Sequence, residues 1–320
     1  MTITTLRLGP RDIDAVVAAT ADAVAAGFFL PERGRAVAAR LREGIRCGDY
    51  SARDTPQRLA DQVTADMQAV QPDLHLRLVF HHDGVADHDD PAAQERAWRD
   101  HARRTAGGVR SVRRVEDGDG RDVAVLDLAP VLCHPAHTGD ALAAAMTLVA
   151  HASTLVIDLR DCRGGAPEAV PLICGYLLGA EPVHLIDIES ARGVQQFWSL
   201  PWVPGPRFGT DKPVAVLVSP RTFSGGEELA FDLQQLGRAV IVGQPTRGGA
   251  HPREGVRVHP QLEVTVPCAR AVSPRTGTNW EGTGVTPDVA SPEDRALETA
   301  ITYLRSSRVE DRPADRAATP

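Results

Sequence analysis

Lysine is almost absent from this chain of 320 residues: of its 35 basic residues, all but Lys212 are arginine. A reaction that needs a lysine base must therefore use that one side chain. Aromatic residues are also scarce, with seven phenylalanines, four tryptophans and three tyrosines. The five cysteines (Cys47, Cys133, Cys162, Cys174 and Cys268) are scattered, odd in number and without a CxxC pair. That spacing argues against a disulfide framework and against a cysteine zinc cluster. No apolar run approaches the roughly 18 residues of a transmembrane helix. The stretch Met1 to Pro10 lacks the basic region and apolar segment of a secretory signal. A net charge of −7 gives no basic footprint for nucleic acid. These absences predict a cytoplasmic protein with neither membrane nor nucleic acid as partner, and they leave the oligomeric state open.

Helical spacing dominates the first part of the chain. Asp12 to Ala26, Arg33 to Arg46 and a stretch opening at Asp54-Thr-Pro-Gln predict three helices, so residues 1–74 read as an N-terminal helical domain. Residues 75–121 read as a strand (Leu76 to Phe80) and a polar connecting segment with a helix at Arg96 to Arg104. The His81-His82-Asp83 and His88-Asp89-Asp90 groups in it have no metal-ligand spacing and are expected to be solvated, with no metal bound. From Asp122 strands alternate with helices: Val123 to Leu128, Gly139 to Ala152, Thr154 to Leu159, Glu168 to Leu178, Val183 to Ile188, Val214 to Val218. Ala239 to Val242, a hairpin-like region from Val256 to Val266 and a helix from Pro292 to Leu304 follow. This order predicts an α/β core over residues 122–305 with a largely parallel sheet. A Pro-rich, aromatic loop is expected from Gly193 to Gly209, and residues 306–320 read as a disordered tail.

Ser224 is the most informative residue. A buried-type strand, Val214 to Val218, turns and delivers Ser224 to the start of an amphipathic helix. A hydroxyl there lies beside unpaired N–H groups at the positive end of a helix dipole, the environment a developing oxyanion needs. Gly225 and Gly226 allow close approach to the backbone. The same residue types also make an ordinary serine cap, so partners elsewhere must decide. Gly164-Gly165 ends a buried strand and presents backbone N–H groups, or simply makes a tight turn. His75, in Asp73-Leu-His75, titrates near neutral pH and is a candidate base, or a structural histidine. Glu281, in a glycine-rich loop, is a candidate to orient a histidine, or a solvated turn acid.

In order, the motifs are Asp-x-His (73–75), Asp-x-Arg-x-x-x-Gly-Gly (158–165), Ser-x-x-Glu (224–227) followed by Asp-Leu-Gln-x-Leu-x-Arg-Ala (232–239), Gly-x-Pro-Thr-x-Gly-Gly-Ala-His (243–251) and Asn-Trp-Glu-Gly-x-Gly-Val-x-Pro-Asp (279–288). Together they resemble the tail-specific (C-terminal processing) serine protease superfamily, in the branch similar to the repeats of interphotoreceptor retinoid-binding protein. The resemblance covers residues 10 to 305. It implies a crotonase/ClpP-like core of ββα units with an N-terminal helical domain. The segment between Phe80 and Asp122 is too short for the PDZ domain that many relatives insert. It implies Ser224 as nucleophile and the N–H groups of Gly225 and of Gly164 or Gly165 as the oxyanion hole. Cys162 and Arg163 stand where the family usually has Asn-Gly.

The Ser–Lys members of the family carry their lysine where this chain has Gly249. Lys212 cannot replace it, because Val214 to Val218 alone spans roughly 17 Å at about 3.3 Å per residue and puts Lys212 at the far end of the strand. The mechanism implied is then that of the tricorn-like members, with His75 as base and Glu281 orienting it. His251, close to the missing lysine position, is the rival base. Glu227 is either an acid supporting the site or a helix N-terminal acid favoured by the dipole. Phe197, Trp198 and Trp202 either line a substrate pocket or anchor their loop.

The reading is a serine hydrolase, peptidase-like, without metal or organic cofactor, acting on a peptide or small acyl substrate. Two alternatives stand beside it: a non-catalytic binder of a hydrophobic small molecule, and a hydrolase or cyclase of a small acyl or peptidyl metabolite.

Overall fold

The computed structural model describes residues 7–85 and 90–310. His88 and Asp89, and the end of the expected tail from 311, lie outside the described residues. The helices are α1 (Pro10–Gly27), α2 (Pro31–Cys47), α3 (Pro56–Val70), α4 (Pro91–Arg104), α5 (Pro135–Val149), α6 (Ala169–Leu177), α7 (Gly225–Gln235) and α8 (Ala296–Glu310). The strands are β1 (Arg77–Phe80), β2 (Val109–Glu116), β3 (Asp122–Leu128), β4 (Thr154–Asp158), β5 (His184–Ser190), β6 (Gly193–Trp198), β7 (Val214–Val218), β8 (Val240–Gly243), β9 (Arg253–His259), β10 (Leu262–Pro267), β11 (Ala269–Val272) and β12 (Val289–Ala290). No described helix is long and apolar enough to cross a membrane.

The chain forms two compact units. The first comprises Met1–Asp100, Ile186–Gln196 and Gly248–Gly282; the second comprises His101–Leu185, Phe197–Arg247 and Thr283–Pro320. In the first unit, Pro10, Pro31 and Pro56 open three helices, where a missing N–H is harmless and the fixed φ suits the first turn. The buried residues of α1 (Ile13, Val16, Val17, Thr20, Ala21 and Val24) recur at the spacing of one helix face. They join Leu59, Val63 and Met67 of α3 and Leu78, Leu262, Val264 and Val266 in one core. The helices therefore do not complete a core of their own: β1 pairs antiparallel with β10, and β10 with β9. Burying each of these large apolar side chains contributes on the order of 1.5–3 kcal/mol. Strands β5 and β11 pair antiparallel.

The second unit is built on a six-stranded sheet in the order β12-β8-β7-β4-β3-β2. Its neighbours are parallel except for β2, which runs antiparallel to β3 at one edge. Both β4 and β7 are buried at every position, as strands covered on two faces must be. One face packs Val156, Ala215, Leu217 and Val242 against Ala296, Ala300 and Leu304 of α8. Because β4, β7 and β8 are parallel, the segments that leave their carboxyl ends emerge on one edge, the usual place for a site in an open α/β sheet. Those segments carry Gly164-Gly165, Ser224 and Thr246.

Two expectations change. The aromatic loop begins as strand β6, whose exposure leaves no alternating pattern to read. Phe197 is buried within it. Helix α8 continues to Glu310, so residues 306–310, expected to belong to a tail, are helical.

Candidate active site

In the second unit the turn after β7 is stitched to the loop after β4. The Thr222 hydroxyl donates to the Leu159 carbonyl at 2.8 Å and the Ser219 hydroxyl to the Arg160 carbonyl at 2.7 Å. The Phe223 N–H donates to the Cys162 carbonyl at 3.0 Å. Arg160 is held by Asp158 at 2.6 Å, and Arg221 by Asp161 and Glu293. This bracing holds Ser224 at φ 52, ψ −124. A non-glycine residue with that backbone is strained and persists only where its surroundings impose it, typically at functional sites.

Gly164 and Gly165 have φ of 111 and 130, which side-chain-bearing residues rarely adopt. A Cβ on Gly164 would stand 2.8 Å from the Ser224 Cβ, and one on Gly225 would stand 3.2 Å from the Gly165 carbonyl oxygen and 3.4 Å from its nitrogen. The two glycine-bearing segments thus run against each other beside Ser224. Among the described residues no acceptor takes the N–H of Gly165 or of Gly225. Two unclaimed donors, one of them at the N-terminus of α7 and the other in the loop packed against it, can receive an anionic oxygen.

Behind the turn, Glu227 is fully buried. One of its oxygens accepts the Ser224 N–H at 2.8 Å and the other accepts the Thr246 hydroxyl at 2.5 Å. Thr246 in turn accepts the Val285 N–H at 2.7 Å. The acid therefore ties the turn that carries Ser224 to the segment after β8. Cys162 packs under Gly226, and burial pushes its thiol up to about 11, which makes it an inert packing residue. Farther along α7, burial drives the carboxyls of Glu228 and Asp232 well above the ordinary carboxylate range. Lys212 donates to the Ala150 carbonyl and lies 4.1 Å from the centroid of the Phe208 ring, at the opposite end of β7 from Ser224. Burial lowers its pKa. Trp198 stacks on His184 at 4.4 Å, and Trp198 and Trp202 are exposed.

In the first unit the structure brings Asp73, His251 and Glu281 together. The Asp73 side chain is fully buried and its Oδ2 lies 2.7 Å from His251 Nδ1. Glu281 Oε2 lies 3.6 Å from the same nitrogen and accepts the Ala250 N–H at 2.5 Å. The Phe29 ring packs against the imidazole at 4.8 Å. Segment 248–252 is held to segment 280–282 by Trp280 Nε1 donating to the Gly249 carbonyl at 2.9 Å and by the Gly282 N–H donating to the Gly248 carbonyl at 3.1 Å. Ligand atoms of Asp73, His251 and Glu281 lie within 4.8 Å of one another, the one such metal-capable group among the described residues. Hydrogen bonds already engage all three side chains.

His75 is buried in a turn ahead of β1. Its N–H donates to Asp73 Oδ1 at 2.9 Å, and its carbonyl accepts the Thr265 hydroxyl at 2.5 Å. Asp73 thus touches both candidate bases, the backbone of one and the ring of the other. The sequence singled out Asp73 only as part of a motif. Its pairing with a ring 178 residues away has no local signature.

A profile described as peptidase family S41 matches residues 122–291. A second, described as the N-terminal domain of peptidase S41 in eukaryotic IRBP, matches residues 2–103. The chain is 31% identical over 142 residues to the chloroplastic carboxyl-terminal-processing peptidase 2 of Arabidopsis thaliana, a match covering 44% of this chain and 26% of that protein. It thus spans about a quarter of that curated relative. Among solved structures, a putative peptidase from Parabacteroides merdae superposes with a TM-score of 0.59 at 17% identity, covering 98% of this chain and 100% of the other. The photosystem II D1 C-terminal processing protease superposes with a TM-score of 0.53 at 18% identity, covering 91% and 97%. At these identities the likeness is one of fold.

Proposed function

The chain belongs to peptidase family S41, and on that premise we propose that it is a serine peptidase acting through an acyl-enzyme on Ser224. The observation that carries the reading is the strained Ser224 backbone, φ 52, set against two N–H groups that no acceptor among the described residues claims. Ser224 Oγ attacks the peptide carbonyl carbon while a histidine takes its proton. The oxyanion is received by the N–H groups of Gly225 and of Gly165, with Gly164 shaping the approach. The C–N bond breaks as the histidine returns the proton to the leaving amine, and water then hydrolyses the ester by the same route reversed. The sequence so written needs no metal or organic cofactor. Chelation with EDTA is expected to leave turnover unchanged, and a loss restored by zinc would contradict it.

The resemblance assigns the base to His75 and its orientation to Glu281. A second reading has a specific observation behind it: His251 carries a carboxylate on Nδ1 at 2.7 Å, the arrangement that fixes a general base's tautomer. Exposed Trp198 and Trp202 offer apolar surface to a substrate side chain. The five free cysteines fit a reducing compartment such as the cytoplasm. Labelling with a fluorophosphonate, followed by mapping of the modified residue, tests the reading. Modification of Ser224 is expected. No labelling and no hydrolysis of any peptide or ester would favour the binder of a hydrophobic molecule.

A further inference from the structure

Arg247 is an exposed guanidinium fixed beside the nucleophile turn. Its N–H donates to the Thr222 carbonyl at 3.1 Å. Its guanidinium carbon lies 4.9 Å from the centroid of the Phe223 ring, on the residue before Ser224. Arg160 and Arg221, in the same region, are neutralised by Asp158, Asp161 and Glu293. Arg247 is not: it pairs with no carboxylate among the described residues. Stacking on an aromatic face restricts the side chain without using its donors. A planar fork of N–H groups is thus held, charged and unengaged, within a residue or two of Ser224. The chemistry it matches is a carboxylate, taken in the bidentate way that guanidinium groups favour.

We propose that Arg247 is a substrate-binding residue that recognises a carboxylate of the peptide held at Ser224, a proposal that rests on the peptidase reading. The carboxylate is either an acidic side chain or the free C-terminus; the chemistry is the same, and the test separates them.

Binding is measured by fluorescence anisotropy on the full chain carrying Ser224→Ala, so that no peptide is consumed. Three fluorescein-labelled alanine–serine octapeptides serve as probes: the free acid, the C-terminal amide, and the amide with one internal glutamate. At least one carboxylate-bearing probe is expected to bind ~10-fold more tightly than the plain amide, with the advantage shrinking at high salt. Arg247→Gln should remove that advantage and leave the affinity for the plain amide unchanged. Arg295→Gln, which removes the same charge from an exposed site paired with Glu298, should retain it. Whichever probe shows the advantage identifies the source. Equal affinities for all three probes, including no binding of any, would overturn the proposal, as would an advantage that survives Arg247→Gln. Cleavage is assayed separately with Ser224 intact. If no peptide is cleaved but the Arg247-dependent preference remains, the peptidase reading fails and the carboxylate site stands.

Discussion

Ser224 sits on a backbone that the surrounding hydrogen bonds impose, so removing its hydroxyl leaves that scaffold in place. Ser224→Ala is expected to abolish fluorophosphonate labelling and hydrolysis while circular dichroism and melting temperature stay near those of the unsubstituted chain. Persistent labelling would move the nucleophile elsewhere. The base is separable by substitution. Loss of the true base should lower kcat by ~10³-fold or more, and the activity of the unsubstituted chain should fall on acidification, because a protonated imidazole accepts no proton. His75→Ala and His251→Ala therefore give unequal losses, and the larger loss identifies the base. Asp73→Asn does not discriminate, since Asp73 accepts from the His75 backbone and faces the His251 ring. Lys212→Arg should be nearly neutral, because Lys212 lies at the far end of β7 and is engaged with Ala150. An inert Lys212→Arg protein would restore a lysine mechanism.

At the scale of elements, α7 carries two buried acids in successive turns beyond Ser224, Glu228 and Asp232. Burial raises both carboxyls well above their ordinary range, so the folded chain keeps protons that the unfolded chain, with carboxyl pKa values near 4, has already released. The folded state binds more protons, and stability is therefore lost as pH rises from about 4 toward the folded values. Asp232→Asn removes the share of that loss that Asp232 contributes. Its melting temperature relative to the unsubstituted chain should be higher at pH 8 than at pH 5, by ~2 °C or more, as followed by calorimetry; an equal difference at the two pH values would show that the acid is not neutral when folded. The aromatic segment makes a different prediction. Phe197 is buried while Trp202 is exposed, so Trp202→Ala should change the ranking of peptides differing in one apolar residue with little change in stability. An unchanged ranking would make Trp202 a surface residue of no consequence to substrate.

At the scale of the whole molecule, the chain enters each compact unit in three separate segments. The N-terminal helices share their core with β1 and with Leu262, Val264 and Val266 of β10. A fragment ending at Asp100 lacks β9 and β10, leaves β1 without its partner strand and exposes the apolar face they cover. It is expected to show weak, non-cooperative thermal unfolding and rapid amide exchange. Cooperative unfolding of that fragment would show that its core closes without β9 and β10.

The sequence by itself determined the elements whose cause is local. Prolines at first helical turns and one-face apolar spacing mark α1 to α3, and unbroken apolar runs mark β4 and β7, whose bounds in the structure match the expectation closely. Ser224, Gly164 and Gly165 stand out in the sequence because a strand, a turn and a helix start are written in a few consecutive positions, and the structure brings the two segments against each other. Edge strands β2 and β6 carry no such mark, being exposed at most positions and without alternation, and β11 is too short to show one. Tertiary structure alone decided which acid serves which partner: Glu227 reaches Thr246, and Asp73 reaches a ring 178 residues away. A hydrogen bond depends on where two atoms stand to within a few tenths of an ångström, and that placement is set by packing across strands far apart in sequence, not by either residue's neighbours along the chain.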